Sequence, residues 1–270
     1  MDTTNQVTNL TQIQDLIEKG AQFFVGHSGG KDSQAMFAIL STLVPADQLH
    51  VVHADLGDIE HENVKGFIRS NIDDKELLVA QAIHADGSKK DFFSAVRARR
   101  ASLDSKGKTD APAFPSSAAR FCTSDLKTGP IWKVIRAQGD HAIVVNCVGI
   151  RAEESPVRAK KIADRGTLNV NTKNTNSKRQ AFDYWPIADW TIAQVWNEIE
   201  AKGQERHPAY DAGNDRLSCV FCIFGSRGDL ARGAEARPEL LQKLADLEAD
   251  VRTTMFSGET LAARINSIQK

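Results

Sequence analysis

Apolar residues recur along the chain in two rhythms. Leu10, Ile13, Leu16 and Ile17 share one face of a segment running from 9 to 19 and stopping at Gly20, which predicts an amphipathic helix. Short continuous apolar runs follow at 23–25, 49–54, 76–80 and, most apolar of all, 142–148. Runs of that length predict strands buried on both faces of a parallel sheet, with 142–148 central in it. Between and after them, helical spacing is predicted through Leu43, from about Glu60 to Ser70, around Ile131–Ile135, at Ile192–Ile199 behind a Thr191 cap, and from Pro238 to Val251. A shorter helix is expected from about Glu259. Strands alternating with helices place the chain in the α/β class, as a doubly wound parallel sheet over residues 1–190 and a small helical, cysteine-containing extension over 191–270.

Two stretches break the rhythm. Residues 101–119, with Pro112 and Pro115, read as a long surface loop. Residues 157–180 carry Arg158, Lys160, Lys161, Arg165, Lys173, Lys178 and Arg179 against one acid, Asp164. That composition predicts a flexible basic loop, either a solvated surface or a lid over a polyanion such as a nucleic acid. The whole chain of 270 residues has a formal net charge of −1, so any anion site must be local. Met1–Gln6 shows no leader pattern, and no stretch approaches the roughly eighteen consecutive apolar residues of a membrane span. A cytoplasmic protein without a membrane partner is expected.

The first apolar run leads into Gly26-His27-Ser28-Gly29-Gly30-Lys31-Asp32-Ser33 and then a helix. Adjacent glycines let the backbone turn tightly, and the amides and positive dipole at a helix N-terminus face an anion. Lys31 adds charge, and Ser28 and Ser33 add hydroxyls. A Walker A loop is excluded, because Gly26 stands four places before Gly30 and Asp32 follows Lys31. The second strand delivers Asp55 and Gly57 at its end, where Asp55 meets a ribose, a magnesium ion or substrate, or serves only as a turn residue.

Four cysteines complete the candidate chemistry. Cys219 and Cys222 have the spacing that lets two thiolates converge on a metal or cluster, or close a redox disulfide. Cys122, on a polar segment beside Arg120, is the third candidate ligand, whereas Cys147 lies within the most apolar strand as core. Three thiolates suit an iron–sulfur cluster with one open iron, or zinc completed by water or histidine.

Ser28 to Ser33, Asp55-Leu56-Gly57, Gly149-Ile150-Arg151 with Glu154, Ser155 and Arg158, Trp190-Thr191, and Arg216 to Cys222 occur in one order along nearly the whole chain. In this it resembles the phosphoadenylyl-sulfate (PAPS) reductase superfamily of PP-loop ATP pyrophosphatases. That resemblance implies an adenine nucleotide alpha hydrolase-like (HUP) fold. It departs from related APS reductases at Thr123, where they have a second cysteine after the position of Cys122, while Lys127 and Pro130 stay in register. A loop with its lysine and the lack of a cysteine after Cys222 set it apart from sulfonucleotide reductases. It is more similar to ATP-using sulfur-transfer members, such as DNA-phosphorothioation and tRNA-thiolation proteins.

The resemblance implies an enzyme that binds ATP and magnesium at Ser28, Gly29, Gly30, Lys31, Asp32 and Ser33, adenylates an acceptor and releases pyrophosphate. Arg151 and Arg158 would bind phosphate or the acceptor anion, and Glu154 would orient Arg151 or contact the substrate, unless the three form a surface salt-bridge ladder. Asp55, Gly57, Arg120, Lys127 and Gly149 would line the cleft. Cys122, Cys219 and Cys222 would hold a 4Fe–4S cluster, or zinc, for sulfur delivery. The acceptor is open among tRNA, DNA and a small molecule, a cysteine desulfurase would donate sulfur, and exposed aromatics in the tail would suit a homodimer. The alternatives are a PAPS-reducing oxidoreductase and a non-catalytic nucleotide-binding subunit.

Overall fold

The structure, a computed structural model, describes residues 7–267. Met1–Gln6, which carried the expectation of no leader, lie outside them. In chain order the elements are α1 (Leu10–Glu18), β1 (Gln22–Gly26), α2 (Lys31–Leu43), β2 (Leu49–Asp55), α3 (Val64–Ser70), β3 (Leu77–Gln81) and α4 (Phe92–Asp104). They continue as α5 (Phe121–Thr123), α6 (Gly129–Ala137), β4 (Ile143–Cys147), α7 (Pro156–Arg165), β5 (Leu168–Val170), β6 (Gln180–Tyr184) and α8 (Ile192–Ala201). The chain closes with α9 (Pro208–Asp211), α10 (Arg227–Ala236), α11 (Pro238–Val251) and α12 (Leu261–Asn266).

The six strands form one sheet in the order β3-β2-β1-β4-β6-β5. β1 pairs in parallel with β2 and β4, and β4 with β6, as the continuous apolar runs predict. β5 is the exception, an antiparallel edge strand on β6. After β1 the chain builds outward through β2 and β3, then returns to β1's other side with β4. That reversal makes the carboxyl ends of β1 and β4 a topological switch point, where an α/β sheet leaves a crevice for ligand.

Successive residues of β1 face opposite sides. Phe23 and Val25 join a cluster with Met36, Leu40, Cys147 and Tyr184, and Phe24 joins another with Trp132, Ile135 and Val144. The chain divides into two compact units: residues 1–53, 63–80 and 131–207, and residues 54–62, 81–130 and 208–270. Val195 and Ile199 of α8 are buried in the same cluster as Ile39 and Leu40 of α2, which keeps α8 in the sheet-bearing unit. In the other unit Leu230, Leu240, Leu244, Leu247 and Val251 pack with Phe92, Phe114 and Phe221.

Several expected elements are corrected. Residues 157–180 are not a loop but α7, β5 and a turn before β6. Pro156 occupies the first turn of α7 and the Ser155 hydroxyl accepts the Arg158 N–H at 3.3 Å, while Ile162 alone among its described residues is buried, so the helix has no apolar stripe to read. Residues 101–104 belong to α4, whose Asp91–Ser94 capping box starts a helix of mixed polarity. α3 begins at Val64, after Asn63 in a left-handed conformation (φ 53°), and not at Glu60. The segment after α8 contains the short α9, and Ile192 at the start of α8 is exposed although Val195 and Ile199 of the same helix are buried. Among the described tail aromatics Phe221 and Phe256 are buried, which leaves Phe224 exposed. No helix among the described residues is long and apolar enough to cross a membrane.

Candidate functional site

The loop after β1 is built as an anion cradle. Gly29 turns with φ 79°, a conformation that L side chains resist, and Gly30 is extended as the cap of α2. The Ser33 hydroxyl donates to the Gly30 carbonyl at 2.8 Å and accepts the Ser28 N–H at 3.1 Å, closing the turn on itself. Lys31 is buried, with its ammonium 3.8 Å from Asp32. The thirteen residues of α2 supply the first-turn amides and the dipole.

Behind the loop lies a histidine that motif matching overlooks. His27 is 1% exposed, and its Nδ1 accepts the Gly29 N–H at 3.1 Å, holding the glycine turn. Nδ1 can accept only when unprotonated. Burial, with a contribution from the charge of His53, lowers the His27 pKa to about 3, so the neutral ring is the working form. His53 in turn bonds the His27 carbonyl through Nδ1 at 2.9 Å. His53 is signalled in the sequence only as a histidine inside an apolar run, and His27 only by its place at the start of the loop.

The loop after β4 packs onto the cradle. A Cβ on Gly149 would lie 2.9 Å from the Asp32 carbonyl oxygen and 3.2 Å from the Ser33 nitrogen, so only glycine allows this approach. Two residues on, Arg151 is 3% exposed. Its Nε donates to Asp32 Oδ1 at 2.5 Å, and its Nη1 donates to Glu153 Oε2 at 2.5 Å and to the Trp190 carbonyl at 3.1 Å. Glu153 also accepts the Ile192 N–H at 2.7 Å, and the Arg151 hydrogen bond holds its carboxyl below the usual range. The expectation that Glu154 orients the Arg151 side chain is refined accordingly. Glu154 accepts the Arg151 backbone N–H at 3.1 Å and pairs with the Arg158 guanidinium, while the Arg151 guanidinium is held by Glu153.

Asp55, Gly57, Arg120, Lys127 and the three candidate thiols belong to the second unit. Asp55 Oδ1 accepts the Gly57 N–H at 3.0 Å in a side-chain-capped turn. The Arg120 guanidinium lies 5.5 Å from the Phe224 ring centre. Cys122 sits in α5, whereas Cys219 pairs with Glu60 and the Val220 N–H donates to the Ile59 carbonyl at 2.9 Å. All three thiols are half-buried. Burial opposes the charge of Lys127, but Cys219, Cys222, Cys122 and Glu60 around it more than offset that and raise its pKa. Burial likewise raises Cys122, and pushes Cys219 up to about 12, against the pull of Lys127.

Thiolates are the right donors for an iron–sulfur cluster, and Cys122, Cys219 and Cys222 all act on the Lys127 ammonium. Among the described residues no group of three or more His, Cys, Asp and Glu side chains is placed to hold a metal ion. Cys147 is wholly buried, as expected for core.

A family model, "Phosphoadenosine phosphosulfate reductase domain", matches residues 22–224, from β1 past the Cys219–Cys222 loop. The chain belongs to this PAPS reductase domain family. Within the family's reach, an uncharacterized protein of Escherichia phage 186 is 30% identical over 50% of this chain and 39% of its own length. The chain spans less than half the length of the curated relatives it matches. Among solved structures, phosphoadenylyl-sulfate reductase from Candida auris aligns over 78% of this chain and 87% of that one, at 13% identity and a TM-score of 0.48. A U34-tRNA thiolase from Methanococcus maripaludis, solved with its [4Fe–4S] cluster, covers 92% of this chain and 74% of that one, at 12% identity and a TM-score of 0.43.

Proposed function

We propose that this PAPS reductase family chain is a PP-loop ATP pyrophosphatase that adenylates an acceptor. The observation that carries the reading is the closed turn Ser28–Ser33 at the switch point, with buried Lys31 inside it and Gly149 laid against it. An acceptor oxygen would attack the α-phosphorus of ATP. The α–β phosphoanhydride bond would break, pyrophosphate would leave with the bonding electron pair, and the acceptor's proton would pass to solvent. Loop amides and Lys31 would carry the phosphate charge, and Arg151 would reach the same anion when it exchanges Asp32 for phosphate. Magnesium would arrive with the nucleotide, held by its phosphates and water more than by protein carboxylates.

Coupling of this step to sulfur transfer belongs to the proposal too, with Cys122, Cys219 and Cys222 as the sulfur-handling thiols; no step is assigned to a cluster. Incubating the chain with ATP labelled at the α-phosphate, magnesium and candidate acceptors tests the first half. Pyrophosphate and AMP-bearing product are expected, and should vanish in Lys31→Ala while the circular dichroism spectrum is kept. Equal release by the variant removes the loop from the chemistry. Metal and sulfide analysis after anaerobic purification tests the second half: about four irons per chain would require the thiols to rearrange around a cluster.

A further inference from the structure

The basic segment that looked like a loop is an ordered surface. In residues 157–180, Lys160, Lys161, Arg165, Lys173 and Lys178 are exposed, and the exposed acid among them is Asp164. The other two cations are engaged locally: Arg158 pairs with Glu154, and buried Arg179 donates to the Gly139 carbonyl at 3.1 Å. Lys161 lies 4.8 Å from the Trp185 ring centre, which anchors α7 on the core and leaves the other exposed cations to face solvent.

Topology gives these charges a direction. Ser155, in the loop that carries Arg151, caps α7, so the first turn of the helix adjoins the candidate site. β5 is antiparallel, with Leu168 beside Tyr184 and Val170 beside Phe182, so it runs from the carboxyl edge of the sheet toward the opposite edge. Lys160 and Arg165 therefore stand near the site edge, and Lys173 and Lys178 on the turn at the far end of β5. The Arg136–Asn174 hydrogen bond of 3.1 Å ties that turn to α6 and brings exposed Arg136 to it. Ten helical residues and a three-residue strand extend over about 15 Å and about 10 Å.

We infer that α7, β5 and the 171–179 turn form a track for a nucleic-acid backbone leading to the adenylation site. The inference rests on the proposed adenylation for its purpose and names the acceptor class, a nucleic acid. Separated, solvent-facing cations on a chain whose formal net charge is −1 suit a regularly spaced polyanion. The exposed side chains of 157–180 include Val157 and Val170 but no aromatic ring for stacking, so the contact reads backbone and not sequence.

The test measures binding without ATP, so that it stands apart from turnover. Fluorescence anisotropy is read at several salt concentrations with a labelled RNA hairpin, a DNA duplex and polyglutamate. The wild type is compared with K160Q/R165Q/K173Q/K178Q and with K19Q/K89Q/K106Q/K108Q, which removes equal charge from exposed lysines elsewhere, circular dichroism confirming both folds. Expected is binding to RNA, DNA or both, weakened at least roughly tenfold by the first variant alone, with the slope of log affinity against log salt reduced by about 3. An RNA or a DNA preference distinguishes the two sources of phosphate. Equal weakening by both variants, an unchanged slope, or equal affinity for polyglutamate overturns the track, the last pointing to an acidic protein. Pyrophosphate release surviving that result would leave the adenylation reading standing.

Discussion

Arg151 reaches across from the loop after β4 and donates through Nε to Asp32, in the first turn of the helix after β1, at 2.5 Å. The bond joins the two sides of the switch point. Arg151→Met would leave the Asp32 and Glu153 carboxylates without this partner. The Asp32 side chain is 22% exposed, so losing its bond is set below the cost of a fully buried pair, at about 2 kcal/mol, and exposed Glu153 adds little. Urea unfolding checks this, and Arg151→Lys should recover only part of the loss, because an ammonium cannot reproduce the planar fork.

Gly149→Ala places a methyl 2.9 Å from the Asp32 carbonyl oxygen, against backbone that cannot rotate away. The loop must shift, at about 1–3 kcal/mol. ATP affinity measured by calorimetry should fall roughly tenfold or more. Gly26→Ala meets its nearest neighbour, the Cys147 carbonyl, at 3.4 Å and should be much milder.

His27 gives a pH dependence with a definite sign. Its folded pKa of about 3 lies below the ordinary 6.5, so the unfolded chain binds the proton more readily. Stability from this group is complete above pH 6.5 and is lost as pH falls toward 3, at about 1.4 kcal/mol per unit once below 6. Denaturant titrations at pH 7.5, 6 and 5 should show this loss in the wild type and its removal in His27→Gln.

The thiols should react slowly. With Cys219 pushed up to about 12, almost none of it is thiolate at pH 8. Iodoacetamide labelling of Cys219 and Cys122, followed by mass spectrometry, should be slower in the folded chain than in denaturant. Lys127→Met should slow it again, because the ammonium favours the thiolate; faster labelling in that variant would contradict the arrangement.

What was legible in the sequence follows from which signals are local. β1, β2 and β4 announced themselves because a strand buried on both faces must be apolar throughout, and Thr191 and Pro238 marked helix starts by their own chemistry. α7 and α10 did not: each is ten residues long, and α7 buries Ile162 while α10 buries Leu230 flanked by Asp229 and Gly233, so neither has a hydrophobic stripe. The loop residues 28–33 and Arg151 were found by their motif, and the structure brings them together within one unit. Glu153 and His27 were not, since their partners Ile192 and Gly29 are set by the fold or by backbone turning. The interleaving of the two compact units left no signal in the sequence, because no composition change marks a chain crossing between them.

That interleaving bears on how the molecule can be inherited and dissected. The chain crosses between its units at 53/54, 62/63, 80/81, 130/131 and 207/208. No single cut separates the phosphate-cradling half from the thiol-bearing half, and no contiguous stretch of gene encodes either alone. Proteolysis at any one of these crossings would leave at least one of the two units in separate fragments.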